Sequence, residues 1–198
     1  MRRLLTVLAS AAVLVACTGL QPQPTEQQSA FLLAAAPGAP PPHPKTDLVI
    51  EVAAPRARAG FDTNQMAYTR RPDEIEYFSH NRWVAPPARM IAPALAQALE
   101  ASGAFRAVVR EPSAIRVDLR LDTELVRLQQ DFSVRPSRVQ LTMQVMLVRG
   151  NSLTTAQFEE IESATSDDPY AGVIAANQAL ARLAGRIAEY CAAQALAP

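Results

Sequence analysis

From Ile115 to Asp122 apolar and charged residues alternate, with Ile115, Val117, Leu119 and Leu121 set against Arg116, Asp118, Arg120 and Asp122. A period of two predicts a strand with one buried face and one charged face. Beyond Asp122 the phase slips, because Val126 and Leu128 are apolar at even positions. Such a slip predicts a bulge, or a strand leaving its sheet. Val139, Leu141, Met143, Val145 and Leu147 predict a second long strand over 139–148, joined antiparallel to the first through residues 129–137. Residues 155–164 read as a third strand of the same meander, and Glu159, Glu160 and Glu162 suit a sheet edge.

Two stretches switch to helical spacing. Met90, Ile91, Ala94, Leu95, Ala98 and Leu99 predict a helix over 86–102, stopped by Gly103. Pro93 requires that helix to begin near Ile91 or to bend. Val173, Leu180, Ile187 and Gln194 recur every seven residues, with Ala176, Leu183 and Tyr190 between them, predicting a helix over 169–195. Asn177, Arg182, Arg186 and Glu189 mark its wetter side, and Asp167 and Asp168 stand where acids favour the helix dipole. Shorter strands are expected at 29–34 around Phe31-Leu32-Leu33, at 47–54 up to Pro55, and at 105–109. Residues 66–70 and 74–78 flank Arg71-Pro72-Asp73 as a hairpin, with Trp83 directly after it. The fold class is α+β: a mostly antiparallel sheet with two main helices packed on it, preceded by a signal peptide and a Pro-rich tether.

The N-terminus has a different logic. Arg2 and Arg3 precede an uncharged run from Leu4 to Ala16. Thirteen residues are too few for a helix that needs roughly 20 to cross a bilayer, but they fit the apolar region of a secretory signal peptide. The run ends Leu14-Val15-Ala16-Cys17, the pattern of a bacterial lipobox. There a small residue precedes the cysteine that is lipidated and becomes the new N-terminus. Three segments follow: a signal peptide at 1–16, a tether at 17–28 leading from Cys17, and one domain at 29–198. Thr18 stands where an Asp would favour inner-membrane retention, so the expected location is the outer membrane, lipid-anchored, with the domain facing the periplasm. A multiply acylated cysteine supplies enough apolar surface for stable anchoring. Residues 37–44 contain five prolines and can neither pair as a strand nor continue a helix.

Composition narrows the function. Nineteen basic and nineteen acidic residues balance, and the sequence pI is about 6.7, which argues against nucleic-acid binding. Loss of residues 1–16 leaves seventeen bases against nineteen acids. With two cysteines and two histidines, a Cys/His zinc site is not expected. Once Cys17 carries lipid, Cys191 has no disulfide partner, and its place on the apolar side of a helix makes it a buried small hydrophobe. The chain lacks the nucleophile-elbow, phosphate-loop, dinucleotide and zincin motifs. Asp118 and Asp122 belong to a charged ladder, Asp167-Asp168 to a helix start, and Ser79-His80 and His43 have no companions in sequence. No catalytic residue, no metal and no cofactor beyond the covalent lipid on Cys17 are expected. Tyr77, Asn81, Arg82 and Trp83 form the candidate partner interface, since aromatics beside Asn and Arg suit recognition. The competing expectation for Trp83 is that it plugs the seam between hairpin and helix.

The sequence resembles the ABC-type transport auxiliary lipoprotein component family. The resemblance rests on the lipobox, Phe31-Leu32-Leu33, GFDTNQMAY from Gly60, EYFSHNRWVAPP from Glu76, LEASGAF from Leu99, DLRLDTELVRLQQDF from Asp118 and RPSRVQL from Arg135. It implies a non-enzymatic outer-membrane lipoprotein with helices packed on a mostly antiparallel sheet. Its implied partner is the mammalian-cell-entry (MCE) domain protein of an ABC system that moves lipid between membranes. Self-association is compatible with that role. Only Cys17 carries over as a functional residue. The alternative is a standalone lipid-binding or assembly-chaperone lipoprotein with a groove between sheet and helices.

Overall fold

The computed structural model describes residues 28–35 and 43–197. The expected signal peptide, the lipobox Leu14, Val15 and Ala16, Cys17, nearly all of the tether and most of the proline run lie outside the described residues. Nine strands and two helices are described: β1 (Ser29–Phe31), β2 (Val49–Val52), β3 (Arg56–Ala57), β4 (Gln65–Thr69), β5 (Glu76–Trp83), α1 (Pro87–Ala101), β6 (Ala107–Arg110), β7 (Leu119–Asp131), β8 (Arg138–Arg149), β9 (Ser152–Ser163) and α2 (Pro169–Leu196). The class is α+β, as the periodicities predict.

The long strands form the expected meander. β7 pairs antiparallel with β8 along nearly its whole length, and β8 with β9. The phase slip is a bulge at Val126: Leu125 faces Met143 while Arg127 faces Thr142. The extra residue lets Leu125 and Leu128 both turn to the core. The other edge of β7 is shared end to end by β2, β3 and β4, all parallel to it. Pro55 cannot donate to a ladder, and it falls where β2 gives way to β3. β6 extends the sheet beyond β2, and β5 and then β1 extend it beyond β4. The sheet is therefore mixed, with its long ladders antiparallel and its short pairings largely parallel.

Several expected strands are shorter than the pattern suggested, β1 ending at Phe31 and β2 covering only Val49–Val52. The alternation at Ile115 does not begin a strand, and Ile115 is 60% exposed. β6 and β7 flank β2 and run parallel to it, so residues 111–118 must carry the chain back past the end of β2 before β7 can start. The strand expected from Phe105 starts at Ala107; the Phe105 side chain still reaches the core.

α2 lies across β8 and β9, α1 packs on β2 and β6, and the two helices touch. Their apolar faces and the sheet build one core containing Ile50, Ile91, Leu95, Leu121, Leu141, Leu180 and Ile187. α1 starts at Pro87, so Pro93 lies inside it; Gly103 follows at φ +65°, the left-handed stop glycine favours. The wetter side of α2 faces the β9 edge. Arg182 bonds Glu160 (3.1 Å) and Glu162, and Arg186 bonds Glu160 (2.7 Å) and donates to the Glu159 carbonyl (2.9 Å).

The first turn of α2 is held from three sides. Asp168 caps it, accepting from the Tyr170 and Ala171 amides at 2.9 and 3.0 Å. Asp167 accepts from the Ser137 amide at 2.7 Å. Buried Gln130 donates to Ser137 Oγ (2.9 Å) and to the Asp168 carbonyl (3.1 Å). Gly172 makes room for that amide, since a Cβ there would sit 2.2 Å from Gln130 Oε1. Gly172→Ala is expected to destabilise by about 1–2 kcal/mol: expelling the amide costs more than the roughly 1 kcal/mol of added helix propensity returns. In a Gln130→Ala background the same substitution should be neutral or stabilising, which denaturant titration of the four proteins checks.

Candidate partner-binding surface

The four residues proposed for recognition all lie on β5. Tyr77 Oη donates to the Gly60 carbonyl at 3.0 Å, where Gly60 has φ +90°. The Trp83 amide donates to the Asn64 carbonyl at 2.8 Å, and Gln65 pairs with Arg82. The GFDTNQMAY and EYFSHNRW stretches are thus two halves of one substructure. On its other side β5 pairs Asn81, Arg82 and Trp83 with Ser29, Ala30 and Phe31. Trp83 is only 4% exposed and belongs to the core. Tyr77 and Asn81 are half-buried and Arg82 is exposed, so of the four Arg82 presents most to solvent.

The seam beside Trp83 is nearly filled. Met66, Phe78, Leu128, Val139 and Ala176 close around a cavity of about 10 Å³, room for a single water. A ligand groove of several hundred Å³ is not found at that seam.

Among the described residues no helix covers the far face of β7 and β8, and most of its charges are paired. Arg120 is the hub, reaching Glu51 (3.0 Å), Asp122 (3.2 Å) and Glu111 (3.4 Å). The Ala54 amide and then Arg120 hold the Glu111 carboxyl below its ordinary value. Asp118, expected in the ladder, instead accepts from the Val49 amide at 2.8 Å. At the other end Asp131 accepts from the Ser133 hydroxyl (2.5 Å) and amide (2.9 Å) and pairs with Arg138 (3.2 Å). Burial works against its charge, yet the Ser133 and Arg138 bonds keep its carboxyl below the usual range. An open polar groove of about 550 Å³ lies alongside, bounded by Arg58, Arg71, Arg127, Asp131 and Arg138.

This electrostatic arrangement predicts acid sensitivity. Asp168 is depressed by the Ser166 hydroxyl and then the Ala171 amide, and Asp167 by the Ser137 amide. Depressed carboxylates stabilise the fold above their unfolded value of about 3.9, and that contribution is lost as pH falls through the folded values. Stability should therefore fall below about pH 4. Asp131→Asn should cost about 2 kcal/mol at neutral pH, and the difference from wild type should narrow at the lowest pH the fold survives, because protonation removes the charge that the Ser133 and Arg138 bonds favour. Denaturant midpoints at both pH values measure this.

Little here resembles a reactive centre. Among the described residues no group of three or more His, Cys, Asp or Glu side chains could hold a metal ion. Cys191 is fully buried, as its helical position predicts, and burial pushes its thiol up to about 12; the thiolate is not accessible at neutral pH. Sequence reasoning missed the Arg120 hub and the Gln130–Gly172 seat. A glycine inside an otherwise regular helix was the available signal for the second.

The family model for the ABC-type transport auxiliary lipoprotein component matches residues 31–188. The chain belongs to that family. The match runs from the last residue of β1 through most of α2, including the Gly60–Tyr68 and Glu76–Trp83 halves and the bulged β7. Among solved structures this auxiliary lipoprotein is similar to a protein of Xanthomonas campestris, at 19% identity and TM-score 0.76, covering 84% of this chain and 96% of that one. It is also similar to an uncharacterized protein, at 15% identity and TM-score 0.67, covering 84% and 99%. A hypothetical protein of Chlamydia trachomatis matches at 10% identity and TM-score 0.55, covering 77% and 100%. At these identities the likeness is one of fold. No curated protein matches the sequence.

Proposed function

We propose that this auxiliary lipoprotein is held in the outer membrane by lipid on Cys17 and serves an MCE-type ABC system that moves lipid between membranes. The observation that carries the reading is the family match over residues 31–188, which makes the chain an auxiliary component of ABC transport. The lipobox and Thr18 support the anchor and its membrane. In this reading the role is non-enzymatic: Arg120, Asp131 and Arg182 are engaged in structural pairs, and the buried Cys191 thiol is protonated. On the same reading the domain docks the periplasmic MCE protein and holds it close to the outer membrane. The sheet face that carries the Arg120 and Asp131 pairs is the surface available for that contact.

The test is reconstituted transfer. Vesicles carrying the cognate ATPase, permease and MCE protein, with labelled phospholipid, are mixed with acceptor vesicles bearing the lipidated protein. ATP-dependent arrival of label should require the protein in the acceptor membrane. Transfer at the same rate without it would remove the auxiliary role.

A further inference from the structure

The domain exposes apolar side chains where its chain begins. Leu32 is 61% exposed, Val84 49%, Tyr170 60% and Ile174 37%. The Val84 amide donates to the Phe31 carbonyl at 2.9 Å, which sets Val84 beside Leu32. The Phe31 ring lies 6.0 Å from that of Tyr170, and Tyr170 and Ile174 are one turn apart on α2. Leu32 and Val84 lie together and Tyr170 and Ile174 lie by Phe31, so the two pairs flank the short edge strand β1 as its rim. Arg82 pairs with Ala30 in β1 and makes no ion pair among the described residues. Apolar residues with an aromatic of polar tip and a free arginine are the composition of a membrane-interface surface.

The length of chain ahead of β1 says what covers this rim. Gln28, the first described residue, is eleven positions after Cys17. Even fully extended, that stretch spans at most about 40 Å. β1 is thus the part of the domain held closest along the chain to the anchor, and a surface on so short a tether meets the bilayer at high effective concentration. We propose that the Leu32–Val84–Tyr170–Ile174 rim docks in the headgroup region of the bilayer that holds the Cys17 lipid. Docking fixes the orientation of the domain: β1 and the start of α2 face the membrane. The Leu119 end of β7, which lies across the sheet from the β4–β5–β1 corner at its Asp131 end, faces away. The proposal rests on the anchoring reading.

Labelling cysteines tests it. Cys17 is consumed by lipid and Cys191 is buried and protonated, so a new surface cysteine reacts alone. The full lipidated chain carrying Leu32→Cys or Ile174→Cys is tagged with an environment-sensitive fluorophore. It is incorporated in phosphatidylethanolamine/phosphatidylglycerol vesicles containing a brominated lipid quencher. Ile115→Cys and Leu153→Cys, about as exposed as Leu32 and more exposed than Ile174 but near the Leu119 end, serve as controls. The rim labels should shift to the blue on vesicle binding and lose about half their intensity to the quencher, as expected for side chains 5–10 Å into the interface; the controls should do neither. Vesicle-bound protein with unquenched rim labels overturns the proposal and leaves the anchor standing. Rim labels already shielded before vesicles are added also overturn it, since another segment or a second copy then covers the rim. Protein that does not associate with vesicles at all overturns the anchoring reading itself.

Discussion

Trp83→Ala is expected to cost about 3–5 kcal/mol of stability, the range for deleting a buried large aromatic. At roughly 2–4 °C per kcal/mol for a domain of this size, the melting temperature should fall by around 10 °C. The reason is packing. Trp83 is 4% exposed and closes the seam where β5 runs into α1, against Met66, Leu128 and Val139. The surrounding cavity is already only about 10 Å³, so removing the indole opens a void that flanking strands fixed by their ladders cannot collapse into. Its emission, the only tryptophan signal in the chain, should be blue-shifted in the free protein. Arg82→Ala, next to it but exposed, should change stability by no more than about 0.5 kcal/mol. A Trp83→Ala protein that melts like wild type and loses its partner would move Trp83 from the core to the interface.

Cys17→Ser is expected to abolish lipidation and outer-membrane anchoring. A hydroxyl does not accept the diacylglyceryl group that a thiol does, and without lipid the cleavage that follows it does not proceed. The protein should persist as the uncleaved precursor, with no lipid label and no place in the outer-membrane fraction. Two or more acyl chains give stable anchoring where one gives only marginal binding, so the loss should be nearly complete. Metabolic labelling with a palmitate analogue and membrane fractionation read it directly. Normal outer-membrane recovery with unchanged label would contradict the anchor.

Periodicity made the long elements legible because each buries a single face. Val139 to Val145 alternates without interruption and becomes the first part of β8. The seven-residue recurrence from Val173 becomes α2. Even the bulge at Val126 showed as a change of phase, since the core side must be apolar on both sides of it. What stayed hidden depends on partners distant in sequence. β3 is two residues long and exists only because β7 runs alongside. The parallel pairings of β2, β3 and β4 with β7 leave no local mark, because a short strand reads the same in either direction. Ile115 fits the alternation of β7 but falls in a return loop that only the topology imposes. The charged ladder showed, but not that Arg120 would gather Glu51 and Glu111 from two other segments. Of the four candidate interface residues, sequence chemistry could not separate Arg82 from Trp83; the alternation along β5 turns one outward and the other into the core.

The central claim is that this lipoprotein works as the auxiliary component of an MCE-type ABC transporter. It is tested most directly by gently solubilising native membranes, capturing the lipidated protein through a C-terminal tag and identifying what comes with it. The account predicts recovery of the MCE-domain protein, with its permease and ATPase, in constant proportion and lost on deletion of the MCE gene. Capture of the intact lipidated protein without any MCE-domain protein, under conditions that keep permease and ATPase together, would contradict it.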